Sequence, residues 1–174
     1  IAGWDVSRVD DMSKLFYNKR TSFNAQVGGW DTSSVTTMRF TFRSAASFNQ
    51  EIGGWDMSQV TSMQETFRSA TSFNQDLPDW NVQSAHSFVE MFRGATAFNG
   101  DLPGWSLCTS DSVGADVTSM FHGASAFNGD ISSWDTSRIN NMQDMFKEAA
   151  AFNGDISSWN VNLVVSMEGM FRGA

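Results

Sequence analysis

The sequence predicts an α/β solenoid of about seven coils, each of roughly 25 residues, with parallel strands on one face and short helices on the other. Three observations carry that reading. Tryptophans recur at Trp4, Trp30, Trp55, Trp80, Trp105, Trp134 and Trp159, at spacings of 26, 25, 25, 25, 29 and 25 residues. After each tryptophan the chain alternates large, polar, apolar-or-Thr and polar, as in Trp4-Asp5-Val6-Ser7 and Trp30-Asp31-Thr32-Ser33, which is the period of a short half-buried strand. Further on, Val60, Met63, Phe67 and Ala70 are spaced three, four and three, as are Ile139, Met142, Phe146 and Ala149. That spacing predicts one face of a helix packed on the strand layer.

Within one coil, the residue after the tryptophan is Asp5, Asp31, Asp56, Asn81, Ser106, Asp135 or Asn160. These types cap helices and turns, because their side chains accept backbone N–H bonds. On an open strand face they would instead line up carboxylates one rung, about 4.8 Å, apart, and mark a binding surface or a cation site. After the helical face, Phe-Asn recurs at Phe23-Asn24, Phe48-Asn49, Phe73-Asn74, Phe98-Asn99, Phe127-Asn128 and Phe152-Asn153. The expectation is an asparagine ladder that satisfies turn backbone groups of adjacent rungs.

A basic column holds Tyr17, Arg43, Arg68, Arg93, His122, Lys147 and Arg172, and an acidic one holds Gln26, Glu51, Asp76, Asp101, Asp130 and Asp155. Pairing between these two columns is the first expectation. Docking of an acidic partner on Arg43, Arg68 and Arg93 is the second. The coil from Trp105 carries four extra residues within the stretch Ser106 to Asp116, which holds Cys108, Asp111 and Asp116, and insertions in repeat proteins fall on loops, often on the binding face.

Composition narrows the partners. With 19 acidic against 11 basic residues, a formal charge of −8 and lysines only at Lys14, Lys19 and Lys147, nucleic acid and anionic membrane surfaces are disfavoured. Cationic partners or a divalent cation stay open. Cys108 is the only cysteine, so an intrachain disulfide or cysteine metal cluster is excluded. No cofactor or metal set is indicated. There is no signal-like segment, and no apolar run reaches the ~20 residues that span a bilayer. Both Ile1 and Ala174 fall inside a coil with no polar capping repeat, so the expectation for 1–174 is a single repeat domain, part of a longer array.

A family comes into view from these columns. Ala70-x-x-Phe73-Asn74, Trp80-Asn81-Val82 and Val60-Thr61-x-Met63-x-x-x-Phe67-x-x-Ala70 resemble the Trp-Asp-x-Ser-x-Val-Thr-x-Met…Met-Phe…Ala…Phe-Asn repeat of BspA-type leucine-rich-repeat surface proteins. The resemblance covers the whole chain. It implies a right-handed leucine-rich-repeat-like α/β solenoid, secretion or surface anchoring, and binding of host or matrix proteins. Phe88, where most coils have methionine, and the Trp105 insertion depart from the pattern.

The expected function is therefore a non-enzymatic extracellular or cell-surface module for protein–protein recognition, adhesion or self-association. The candidate binding residues are Asp5, Asp31, Asp56, Asn81, Asp135, Asn160, Asp111, Asp116, Arg43, Arg68 and Arg93. One alternative is a structural block of a surface fibre or wall. The other is a carbohydrate-active enzyme or lectin using the irregular coil 105–121, with Asp111 and Asp116 as the paired carboxylates that glycoside hydrolysis needs.

Overall fold

The computed structural model describes residues 1–19, 23–107 and 114–174. The coils run 4–29, 30–54, 55–79, 80–104, 105–133, 134–158 and 159–174, numbered 1 to 7. One residue of each forms a parallel bridge to the next: Asp11 to Thr37, Thr37 to Ser62, Ser62 to Ser87, Ser87 to Asp116, Asp116 to Asn141 and Asn141 to Ser166.

The α/β expectation is overturned, because the described residues contain no helix and no strand longer than an isolated bridge. The right-handed leucine-rich-repeat-like arrangement of strands and helices goes with it. Coil 3 shows the reason. In a helix Phe67 would donate its N–H to Met63, but here the N–H groups of Met63, Glu65, Phe67 and Ser69 donate to the carbonyls of Ser87, Val89, Met91 and Arg93 in coil 4, at 2.7–2.9 Å. The N–H groups between them, on Thr66, Arg68 and Ala70, donate three residues back, to Met63, Glu65 and Phe67. Every second donor thus closes a turn and every other one joins two coils. Coils 2 and 4 repeat the cross-coil set from Met38, Phe40, Phe42 and Ser44 and from Phe88, Glu90, Phe92 and Gly94.

This path needs a left-handed residue at every fourth position, such as Glu65 (φ 53°) and Ser69 (φ 56°), which stops a helix from propagating. The apolar spacing of three, four and three is kept, and Met63, Phe67 and Ala70 are fully buried. The strand expectation fails differently. Met57 points inward as expected, but Asp56 caps Ser58 and the Val60 N–H closes a turn on the Met57 carbonyl, so the alternation lies on turns. Among the described residues the one bridge in that stretch joins Ser106 to Asp135.

Non-glycine residues in the left-handed region cost about 1–2 kcal/mol each. Gly94 and Gly123 occupy the same column as Ser69 at φ 68° and 71°. We expect Ser69→Gly to raise stability by about 0.5–1 kcal/mol, after the entropy of the added glycine is subtracted. A lower denaturation midpoint in Ser69→Gly would show that the serine side chain holds the turn.

Three aromatic columns form the core. Phe42, Phe67, Phe92, Phe121 and Phe146 stack at 5.4–5.5 Å between successive ring centroids. Beside them, Phe48, Phe73, Phe98, Phe127 and Phe152 stack at 5.7–6.1 Å. Within a coil the two columns touch, Phe67 lying 4.1 Å from Phe73. The tryptophans form the third column, and each indole has a polar handle that must be satisfied when buried. Trp55 Nε1 donates to the Val27 carbonyl, Trp80 to Ile52, Trp105 to Leu77 and Trp134 to Leu102, at 2.8–3.1 Å. Each tryptophan is thereby pinned to the last residues of the coil two before it, just ahead of the preceding tryptophan.

The asparagine ladder is present. The Oδ1 atoms of Asn24, Asn49, Asn74, Asn99 and Asn128 accept the backbone N–H of the next asparagine in the column, at 2.7–2.9 Å. It runs along an exposed edge rather than inside the stack.

Candidate recognition surfaces

Asp5, Asp31, Asp56, Asn81, Asp135 and Asn160 are exposed, and each turns its Oδ1 back to accept the N–H two residues on. The column therefore caps turns while presenting carboxylates in register. Side-chain and backbone bonds from Ser7, Ser33 and Ser58 hold Asp5, Asp31 and Asp56 below the ordinary carboxylate range. Repulsion from Asp5 on Asp31 and from Asp31 on Asp56 works weakly the other way.

Asp116 belongs to the bridge column rather than to an irregular loop. It pairs with Ser87 and Asn141, and its Oδ1 accepts both the N–H and the hydroxyl of Thr118. The equivalents Asp11 and Asn141 make the same cap to Ser13 and Gln143. Asp111 and Cys108 lie outside the described residues. Among the described residues, no group of three His, Cys, Asp or Glu side chains could hold a metal ion, and no helix is long and apolar enough to cross a membrane.

The basic column is paired, but not with the acidic column that its spacing suggested. Arg43 Nη1 lies 2.7 Å from Glu65 Oε2, and Arg68 Nη1 lies 3.0 Å from the same oxygen. Arg68 also bonds Glu90, whose Oε1 holds Arg93 at 2.6 Å. Glu65 and Glu90 sit at left-handed turn positions, so their side chains leave the turn beside the arginines of neighbouring coils. The result is a ladder, Arg43-Glu65-Arg68-Glu90-Arg93, crossing three coils. Glu65 is buried and the other members are partly exposed, and each exposed pair contributes at most about 1 kcal/mol. The acidic column bonds backbone instead: Asp76 accepts the Asp101 N–H, and Asp101 the Asp130 N–H.

Past Arg93 the column holds His122, with a side chain 13% exposed and a buried Nδ1 that has no partner among the described residues. Burial pushes its pKa down, and Arg93 and Lys147 push it the same way, while Glu148, 3.6 Å from Nε2, and Asp144 oppose them. The folded state thus prefers the neutral ring. Stability should be intact above the ordinary imidazole value of 6.5 and fall as pH drops below it. Thermal melts of the wild type and His122→Asn test this, and a wild-type loss below about pH 6.5 that persisted unchanged in the variant would discharge His122.

A surface that the sequence reading did not single out lies across coils 1 to 3. Two adjoining clefts of about 430 and 560 Å³ share Gly28, Glu51 and Gln75 as walls. Gly53, Gly54, Asp76 and Asp79 extend one, while Gln26, Asn49 and Gln50 extend the other. The signal was present as departures from the repeat: Gln50 and Gln75 stand where later coils have Gly100, Gly129 and Gly154, and Gly53-Gly54 where later coils have Ser132-Ser133 and Ser157-Ser158.

The stacked coils and repeated columns agree with the comparison to known families. The model of the family described as "Mycoplasma protein of unknown function, DUF285" matches residues 1–105 and 110–174. The chain belongs to this family. The two matched segments of the DUF285 chain meet near the insertion after Trp105, where the repeat is irregular. No curated protein and no solved structure matches the chain.

Proposed function

We propose that this chain is a non-enzymatic repeat module, extracellular or on a cell surface, that recognises another protein. The observation that carries the reading is the Arg43-Glu65-Arg68-Glu90-Arg93 ladder. Stacking sets charged side chains of alternating sign at fixed intervals on a stiff support, which favours selective docking of a complementary charged surface. Membership of a repeat family is compatible with this, and the resemblance to BspA-type repeats supports a surface location and matrix-type partners.

The test is surface plasmon resonance of the chain over immobilised fibronectin, collagen and serum albumin, beside an Arg43→Gln, Arg68→Gln, Arg93→Gln variant. The expected result is saturable binding to a matrix protein, weakened by salt and reduced about tenfold or more in the variant. Binding no stronger than to albumin, or unchanged in a folded variant, would sink the proposal.

A further inference from the structure

The cleft across coils 1 to 3 has a composition that restricts its ligand. Its walls are the amides of Gln26, Asn49, Gln50 and Gln75 and the carboxylates of Glu51, Asp76 and Asp79. Among the described residues, no aromatic, lysine or arginine side chain lines it. Gln75 is held in place, its Nε2 donating to the backbone oxygen of Asn49 at 3.3 Å and to Asn49 Oδ1 at 2.8 Å.

The same face is closed by its own chemistry further along. In coils 5 and 6, the Asp130 and Asp155 carboxylates each accept the N–H of the serine two residues on, Ser132 and Ser157. In coils 1 to 3 the position of that serine is Gly28, Gly53 or Pro78, which has no hydroxyl. Glu51 and Asp79 have no cation within ion-pair distance among the described residues.

The glycines of the floor divide into two kinds. A Cβ on Gly28 would stand 2.4 Å from the Glu51 carbonyl oxygen, so packing requires that glycine. A Cβ on Gly29 or Gly54 would meet nothing within 4 Å, and neither has a positive φ. Their column holds Asp79, Ser133 and Ser158 in coils 3, 5 and 6, and Gly104, at φ 72°, in coil 4. Neither packing nor backbone conformation explains Gly29 and Gly54, and their effect is to leave the cleft open.

We propose that this cleft binds a neutral polyhydroxylated ligand, a short stretch of saccharide chain lying across coils 1 to 3. Amides donate and accept, carboxylates accept from neighbouring hydroxyls, and a bare backbone floor lets a ring approach closely. Sugar hydroxyls supply the matching donors and acceptors on every side. Phosphate or sulfate would be repelled by three carboxylates, and an apolar ligand would find only the Pro78 ring as an apolar wall. The site shares no residue with the Arg-Glu ladder, so it stands independently of the protein-recognition reading.

The experiment is isothermal titration of the chain with maltotetraose, cellotetraose, mannotetraose and xylotetraose, and with tetralysine as the rival probe. We expect at least one neutral tetrasaccharide to bind. Gly54→Phe, which fills open space, and Gln75→Ala should each weaken it about tenfold or more. Ser158→Phe, in the same column outside the cleft, should leave binding unchanged, as should the triple arginine variant. Melting curves establish that each variant folds, and Gln75→Ala decides if Gly54→Phe does not. The proposal is overturned if no tetrasaccharide binds, if Gln75→Ala binds as the wild type does, or if tetralysine alone binds.

Discussion

Phe67→Ala is expected to lower the unfolding free energy by about 3–5 kcal/mol, measured from the shift of the denaturation midpoint at unchanged slope. Phe67 is fully buried and lies in the middle of its column, 5.4 Å from both Phe42 and Phe92 and 4.1 Å from Phe73. Its neighbours cannot close the gap, because their own height is fixed by the hydrogen bonds between coils. Phe171, in the same column but 46% exposed, supplies the control. Phe171→Ala should cost under about 1 kcal/mol, since little apolar surface is returned to water there. Equal losses at the two sites would mean that stability does not reside in the aromatic columns.

Gly129→Ala is the second large effect, about 1–3 kcal/mol of destabilisation by overpacking. A Cβ there would sit 2.4 Å from the Gly100 carbonyl oxygen and 3.2 Å from the Phe127 ring, and neither the backbone nor the stacked ring yields easily. Gln50 and Gln75 carry side chains in this column in coils 2 and 3, so the chain has a second way of passing the position. Gly29→Ala is the comparison, because its Cβ meets open space. It should be neutral or slightly stabilising, through a less flexible unfolded chain. A midpoint for Gly129→Ala equal to that of the wild type would show that coils 4 to 6 can adopt the other path.

Much of the interior was legible. Trp55, Trp80, Phe67 and Phe73 are buried as their spacing implied, while Trp159 is only partly so, and the Asn24 to Asn128 ladder forms as the fixed Phe-Asn pair suggested, though on an exposed edge. The secondary structure was not. A spacing of three, four and three belongs equally to a helix and to successive turns with a left-handed residue every fourth position, and in coils 1 to 3 those positions hold Lys14, Asn18, Phe40, Ser44, Glu65 and Ser69. None is glycine. Only Gly94, Gly123, Gly169 and Gly173 in later coils signal the left-handed backbone, and they replace residues that a helix would accept.

The surfaces were legible in part. The arginine column is a ladder, yet its partners are Glu65 and Glu90, because turn geometry rather than column spacing decides which carboxylate lies beside it. The cleft was harder to see, since Gly29 and Gly54 form it by what they lack, and an omitted side chain reads in a sequence as a tolerant position.

The alternation of backbone donors also sets how the protein answers force. Half of the donors on this edge of a coil close its own turns and half hold it to the next coil, so a coil that loses its neighbour keeps its local turns but loses its cross-coil attachment. Pulled by its two ends in an optical trap, the chain should peel from an end one coil at a time. A coil of 25 residues releases at most about 80–90 Å of contour at ~3.3–3.6 Å per residue, and the longer coil after Trp105 should give a visibly larger step. A single rupture spanning the whole stack would mean instead that the aromatic columns carry load as one body.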